Sequence, residues 1–238
     1  MRACCATLAL LLIAIGCKNE PKVPAASKPV VAAGTASISG TVTFDGVPPP
    51  PRTLGDQICG VTKLPILDES LIVSDGGAMK NVVVYLEDGP NVASKTEPAL
   101  LDQHQCRYVP HVLAVRTGQT LQVRSSDPTL HNTHGDKGSN KPFNLSFVNA
   151  GQTREVTFAE PEVAIRVRCD VHQWMNAYVA VFDHPFFAVT GDGGIFTLKD
   201  VPTGTYTLVA WHERYGKKSQ PVTVGNDGQV VADFAFGK

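Results

Sequence analysis

From Ser37 onward the chain keeps no helical period; its apolar residues come in short alternating or β-branched runs, and Gly, Pro, Asp or Asn closes each of them. A chain punctuated in this way must fold as all-β. Residues 37–44 alternate, Asp45-Gly46 turns the chain, and the prolines at 48–51 remove the amide hydrogens that a ladder would need. Residues 81–86 (NVVVYL) form a β-branched run, and further strands are expected over 194–198, 205–211, 220–224 and 229–236, with a turn at 202–204. The 238 residues are 43% hydrophobic, enough for one large or two small packed domains. Lys plus Arg (21) nearly match Asp plus Glu (22), so no basic field exists to gather nucleic acid.

The first residues belong to export rather than to the fold. Arg2 gives a positive start, residues 3–15 are apolar, and Ala14-Ile15-Gly16-Cys17 closes the run with small residues, the pattern of a signal peptide over 1–16. The apolar stretch is shorter than the roughly 20 residues of a spanning helix. A cysteine after a small residue resembles the bacterial lipobox, which implies lipidation of Cys17, a bacterial envelope location and membrane contact through the lipid alone. Ala14 stands where Leu is usual, which leaves soluble periplasmic export as the alternative. Residues 17–36, rich in Pro, Ala, Lys and Val, read as a flexible tether reaching roughly 60 Å when stretched.

One segment carries chemistry. Val163, Ile165, Val167 and Cys169 share one strand parity, and so do Met175, Ala177, Val179 and Val181, with 170–174 as a short connection holding His172. Thiolate, imidazole and thioether therefore meet at one end of a sandwich. A soft thiolate with imidazoles and a weak thioether suits copper, whereas thioether is a poor zinc ligand. The polar loop after the strand at 120–124 supplies a second imidazole from His131; His134 is the competitor in the same stretch and reads as a solvated loop histidine.

The run Cys169-Asp170-Val171-His172-Gln173-Trp174-Met175 has the C-x2-H-x2-M spacing of amicyanin-type cupredoxins, and His131-Asn132 resembles that family's upstream His-Asn pair. Residues 108–110 and 115–121 look like the family's preceding strand pair. The resemblance implies one type 1 copper per chain, held by His131, Cys169, His172 and Met175, and electron transfer rather than an enzyme. His172 would then be the electron port, and a rim of Val171, Trp174, Pro128 and Leu130 would dock a c-type cytochrome or an oxidoreductase. Ser125 replaces a common Asn. Val171 replaces the amicyanin proline, so its N–H is expected to reach the Cys169 sulfur.

The ends of the chain resemble the carboxypeptidase regulatory-like, transthyretin-type sandwich, through Gly40-Thr41-Val42 with Gly46 and the stretch from Asp192 to Tyr206. The implied architecture is two Greek-key-type β-sandwiches, a cupredoxin-like one at 100–185 inserted in a host made of 37–99 and 186–238. An exported chain tolerates disulfides, and copper needs Cys169 free, so Cys59 is expected to pair with Cys106. That bond would close a loop of about 47 residues and contribute on the order of 4 kcal/mol. Copper delivery or storage, and a metal-free adhesion or carbohydrate module using Tyr206 and Trp211, are the competing functions.

Overall fold

The computed structural model describes residues 36–54, 65–226 and 228–237. The signal segment, Cys17, the tether up to residue 35 and Cys59 lie outside the described residues. The described residues are all-β and form four sheets, with strands numbered in chain order. The first sheet holds β1 (Ala36–Asp45) between β13 (Ile195–Val201) on one side and β16 (Gln229–Val231) and β17 (Phe234–Gly237) on the other. The second runs β12 (Phe187–Val189), β2 (Val83–Leu86), β14 (Gly204–His212), β15 (Gly216–Val224). The third runs β5 (Val112–Arg116), β11 (Asn176–Phe182), β10 (Glu162–Arg168), β7 (His131–Gly135), β8 (Phe143–Phe147). The fourth runs β4 (Arg107–Val109), β3 (Ala99–His104), β6 (Leu121–Ser125), β9 (Thr153–Val156).

Three apolar clusters glue these sheets into a stack. Ile38, Val42, Val84, Leu86, Phe196 and Leu208 fill the space between the first and second sheets. Leu101, Val123, Phe147, Ile165, Val167 and Val179 fill that between the third and fourth. A third cluster of Val83, Tyr85, Val112, Ala180, Phe182, Val209 and Trp211 joins the second sheet to the third. Large side chains buried in this way contribute about 1.5–3 kcal/mol each, so the joint is a packed layer and not a hinge.

The stacking explains why some strands lack alternation. Val82, Val84 and Leu86 face the first core while Val83 and Tyr85 face the joint, so the run at 82–86 is buried on both sides. β11 behaves likewise: Ala177, Val179 and Val181 face one core, Ala180 and Phe182 the joint. β10 keeps its alternation near the site, with Val167 buried and Arg166 exposed. The chain leaves the second sheet after β2 and re-enters it at β12, and these two strands pair antiparallel, Phe187 opposite Tyr85. Both crossings to the third and fourth sheets thus sit side by side.

His184 and His212 are buried and hydrogen-bonded: their Nδ1 atoms accept the N–H groups of Phe186 at 3.1 Å and Arg214 at 3.2 Å. Burial pushes the His212 imidazole down to about 4, so it stays neutral. His111, for which the sequence offered no role, is buried in an ion pair with Glu213 across the joint between the sandwiches.

Candidate metal centre

Three strand ends build the site. His131 is the first residue of β7, Cys169 follows the last residue of β10, and Met175 precedes the first residue of β11. β7 and β11 both pair with β10, so the ends lie together. Cys169 (1% exposed), His131 (0%), His172 (9%) and Met175 (1%) are all buried. The Cys169 Sγ lies 3.9 Å from Nδ1 of His131 and 3.9 Å from Nδ1 of His172, and these three ligand atoms fall within 4.8 Å of one another. Met175 is packed in the same apolar cluster as Cys169.

The 169–175 loop closes on itself through two main-chain bonds, Cys169 N–H to the Met175 carbonyl at 3.1 Å and Met175 N–H to the His172 carbonyl at 2.9 Å. Asn132 then ties this loop to β7. Its amide donates to Asp170 Oδ2 at 2.7 Å, and its Oδ1 accepts the Asp170 N–H at 2.7 Å. The Asn132 carbonyl accepts the Tyr108 hydroxyl at 2.6 Å and the Gln103 amide at 3.1 Å. Ligands are therefore held before any ion arrives, the condition for a site whose geometry resists change.

Charge follows the same plan. Burial pushes the Cys169 thiol up, but the His131 ring and the main-chain amides of Asn132, His172 and Val171 outweigh it and hold the thiol below its ordinary value. A thiolate is the metal-binding form. The amide directly bonded to the sulfur is that of His172, at 3.4 Å. The expectation for Val171 is thus only partly met: its amide adds to a field in which His172 and Asn132 act more strongly. Burial and the neighbouring His131 ring keep the His172 imidazole below its usual value, hence neutral and able to donate a lone pair.

Several sequence readings need correction. His131 and Asn132 lie in β7 and not in a loop. His134 lies there too: its Nδ1 faces Asp170 at 3.0 Å, so it is a part-exposed strand residue with a partner and not a loop histidine. Trp174, left open between packing on the other sandwich and a docking rim, packs against the core that holds Cys169 and Met175. Its ring meets His172 edge-on at 5.0 Å and its Nε1 donates to the Cys106 carbonyl at 3.1 Å. Of the remaining rim, Val171 (50%) and Leu130 (47%) are exposed. Cys106 is buried and disulfide-bonded, and Cys169 is free.

Sequence reasoning missed Asp127. It is 1% exposed, its Oδ1 accepts the Gln105 N–H at 2.7 Å, and its Oδ2 accepts the Cys106 N–H at 2.8 Å and faces His131 Nε2 at 3.0 Å. The available signal was an acidic residue four positions before the histidine in an otherwise polar loop.

No family model and no curated protein matches this chain. Its backbone does overlap copper proteins. A Cu-containing nitrite reductase from Thermus scotoductus SA-01 aligns at 20% identity over 38% of this chain and 23% of its own, with a TM-score of 0.34. An oxidized amicyanin mutant aligns at 22% identity over 35% of this chain and 81% of its own, TM-score 0.33. A purple cupredoxin from Nitrosopumilus maritimus aligns at 24% identity over 35% of this chain and 98% of its own, TM-score 0.31. The chain thus spans about a quarter of the nitrite reductase it overlaps.

The position of the two β7 histidines makes a prediction. Changing His131 to Gly should abolish tight Cu(II) binding and restore it when external imidazole fills the space, whereas His134 to Gly should leave affinity within a few-fold. Isothermal titration of both variants decides it, and the reverse pattern would move the site toward Asp170.

Proposed function

We propose that this chain is an electron-transfer protein of the bacterial envelope that holds one copper ion through Cys169, His131 and His172, with Met175 as a weak fourth ligand. The observation that carries the reading is a buried, acid-shifted thiol with two imidazole nitrogens 3.9 Å away. That donor set selects copper over zinc because its sulfur is soft and its remaining neighbour is a thioether. Bound copper supplies a one-electron redox change. The protein's part is to keep the Cys169 sulfur ionised, to bury it from water, and to fix the two rings through the Asn132–Asp170 tie. His172 has the greatest exposure of the four and stands beside exposed Val171, which suits a port for electrons at a small, transient contact. The partner would be a c-type cytochrome or an oxidoreductase, no nucleic acid is involved, and the protein itself transfers electrons without catalysing a reaction.

The cupredoxin-like sandwich at 100–185 would be carried by a carboxypeptidase regulatory-like host, itself held to the membrane by lipid on Cys17 after removal of the signal peptide. The Cys59–Cys106 disulfide is part of the same proposal. The prearranged clamp favours transfer over delivery, since a delivery protein must release its cargo. A carbohydrate module fits less well: Trp211 is buried edge-on against Tyr178 at 5.4 Å, and the Tyr206 hydroxyl donates to the Pro202 carbonyl at 2.9 Å. Loading the purified protein with Cu(II) should saturate at one ion per chain with reversible voltammetry and slow loss to a chelator. Rapid loss to the chelator with sluggish electron exchange would favour delivery.

A further inference from the structure

The methionine side of the site is covered from outside the strands that carry its ligands. Between β1 and β2 the chain doubles back into a short ribbon, with Thr53 opposite Leu67. The Leu54 N–H donates to the Ile66 carbonyl and the Asp68 N–H to the Arg52 carbonyl, both at 2.8 Å. β1 and β2 belong to the first and second sheets, yet Ile66 is buried in the cluster that holds Cys169 and Met175, and Leu54 packs against it. We infer that Ile66 is a specificity-determining residue, a cover that keeps small anions and peroxide away from Met175 and, on the copper reading, from the metal.

The cover is fixed at both ends. Arg52 and Asp68 pair across the ribbon at 2.7 Å, and Glu69 pairs with Arg107 of β4 at 3.6 Å. Beneath it a crevice runs from exposed Leu67 and the Glu69–Arg107 pair inward to Ile66, Trp174 and Met175. Its volume is about 20 Å³, the room of about one water. The Tyr108 hydroxyl and Trp174 Nε1 in its wall already donate to main-chain carbonyls at 2.6 and 3.1 Å, so neither is left to hold that water. His111, paired with Glu213 from the turn between β14 and β15, lines the same space.

Access here matters because of what Met175 offers. A thioether is a weak ligand, so a small anion arriving on its side would compete with it and change the geometry on which rapid electron exchange depends. Ile66 fills the space that such a molecule would need. A void left by a shortened side chain in a packed core is refilled only in part.

Two measurements on the full chain test the role, the first without any metal. Hydrogen peroxide transfers an oxygen atom to a thioether, giving sulfoxide and water, at a rate set by access to the sulfur. Met175 should oxidise slowly in the metal-free protein and at least tenfold faster in Ile66→Ala. Met79, buried in the core between the first and second sheets, is the internal reference and should keep its rate. Mass mapping of the two peptides reads both. A Met175 that oxidises in the unmodified protein as fast as a free methionine peptide overturns the cover. Equal acceleration of both methionines, in Ile66→Ala and in the milder Ile66→Val, is general loosening and overturns it too. In the second measurement, millimolar azide should leave the visible spectrum of the Cu(II)-loaded protein unchanged and shift that of loaded Ile66→Ala. A shift in the unmodified protein, or none in the variant, overturns the specificity role. A Met175 that is shielded, then laid open by Ile66→Ala, in a protein that takes up no copper overturns the copper reading while the cover stands.

Discussion

Replacing Cys169 with Ser should abolish the intense thiolate-to-copper absorption of the Cu(II)-loaded protein and weaken Cu(II) binding by more than the ~10–100-fold that loss of an outer partner costs. The reason is particular to this sulfur. It is the only free cysteine among the described residues, it is 1% exposed, and the His131 ring and the main-chain amides of Asn132 and His172 favour its thiolate. Serine at 169 fits the same space but does not ionise, so the rings keep their place while the charge-transfer donor is gone. Visible absorption and a chelator competition on the same samples check both effects. A band that survives the substitution would place the copper elsewhere.

Replacing Glu213 with Ala should destabilise the protein by about 3 kcal/mol, the lower end of the cost of leaving one partner of a buried ion pair alone, because His111 can shed its proton. The two side chains are 5% and 9% exposed, and they join the segment before β5 to the turn between β14 and β15. Burial alone would push the His111 imidazole down, but the Glu213 hydrogen bond and charge raise it above 6.5. A raised histidine contributes stability that is full below its unfolded value and fades as pH rises through its folded value. His212, held at about 4, acts with the opposite sign: its contribution is lost as pH falls from 6.5 toward 4. Unfolding in urea across this range should therefore show stability falling on both sides, with the alkaline decline removed in the Glu213→Ala variant. A loss under about 1 kcal/mol would mean the pair is worth no more than a surface contact.

How far the sequence foretold the molecule depends on separation along the chain. The parity of Ile165, Val167 and Cys169 is local and delivers Cys169 buried beyond the end of β10 as expected, whereas an irregularity between Glu162 and Ile165 breaks it at Val163, which packs on the joint instead. The all-β class was likewise written in short runs and turn residues. His111 and Glu213 are 102 residues apart, and no local pattern signals their contact. The non-alternating run at 82–86 read only as a strand, because its second buried face is supplied by Val112, Ala180 and Phe182 of the third sheet. Asp127 was hidden for a related reason. A polar loop is normally solvated, and only the approach of His131 and of the 105–106 amides turns this aspartate inward.

One copper ion bound by the sulfur of Cys169 and the rings of His131 and His172 would leave a distinct set of near neighbours. X-ray absorption at the copper edge, on protein loaded to one Cu(II) per chain, reads those neighbours directly. The expected shell has a single short copper–sulfur path and two imidazole paths, the sulfur path disappearing in the Cys169→Ser protein. A shell of oxygen and nitrogen alone, or two copper atoms within reach of one another, would contradict it.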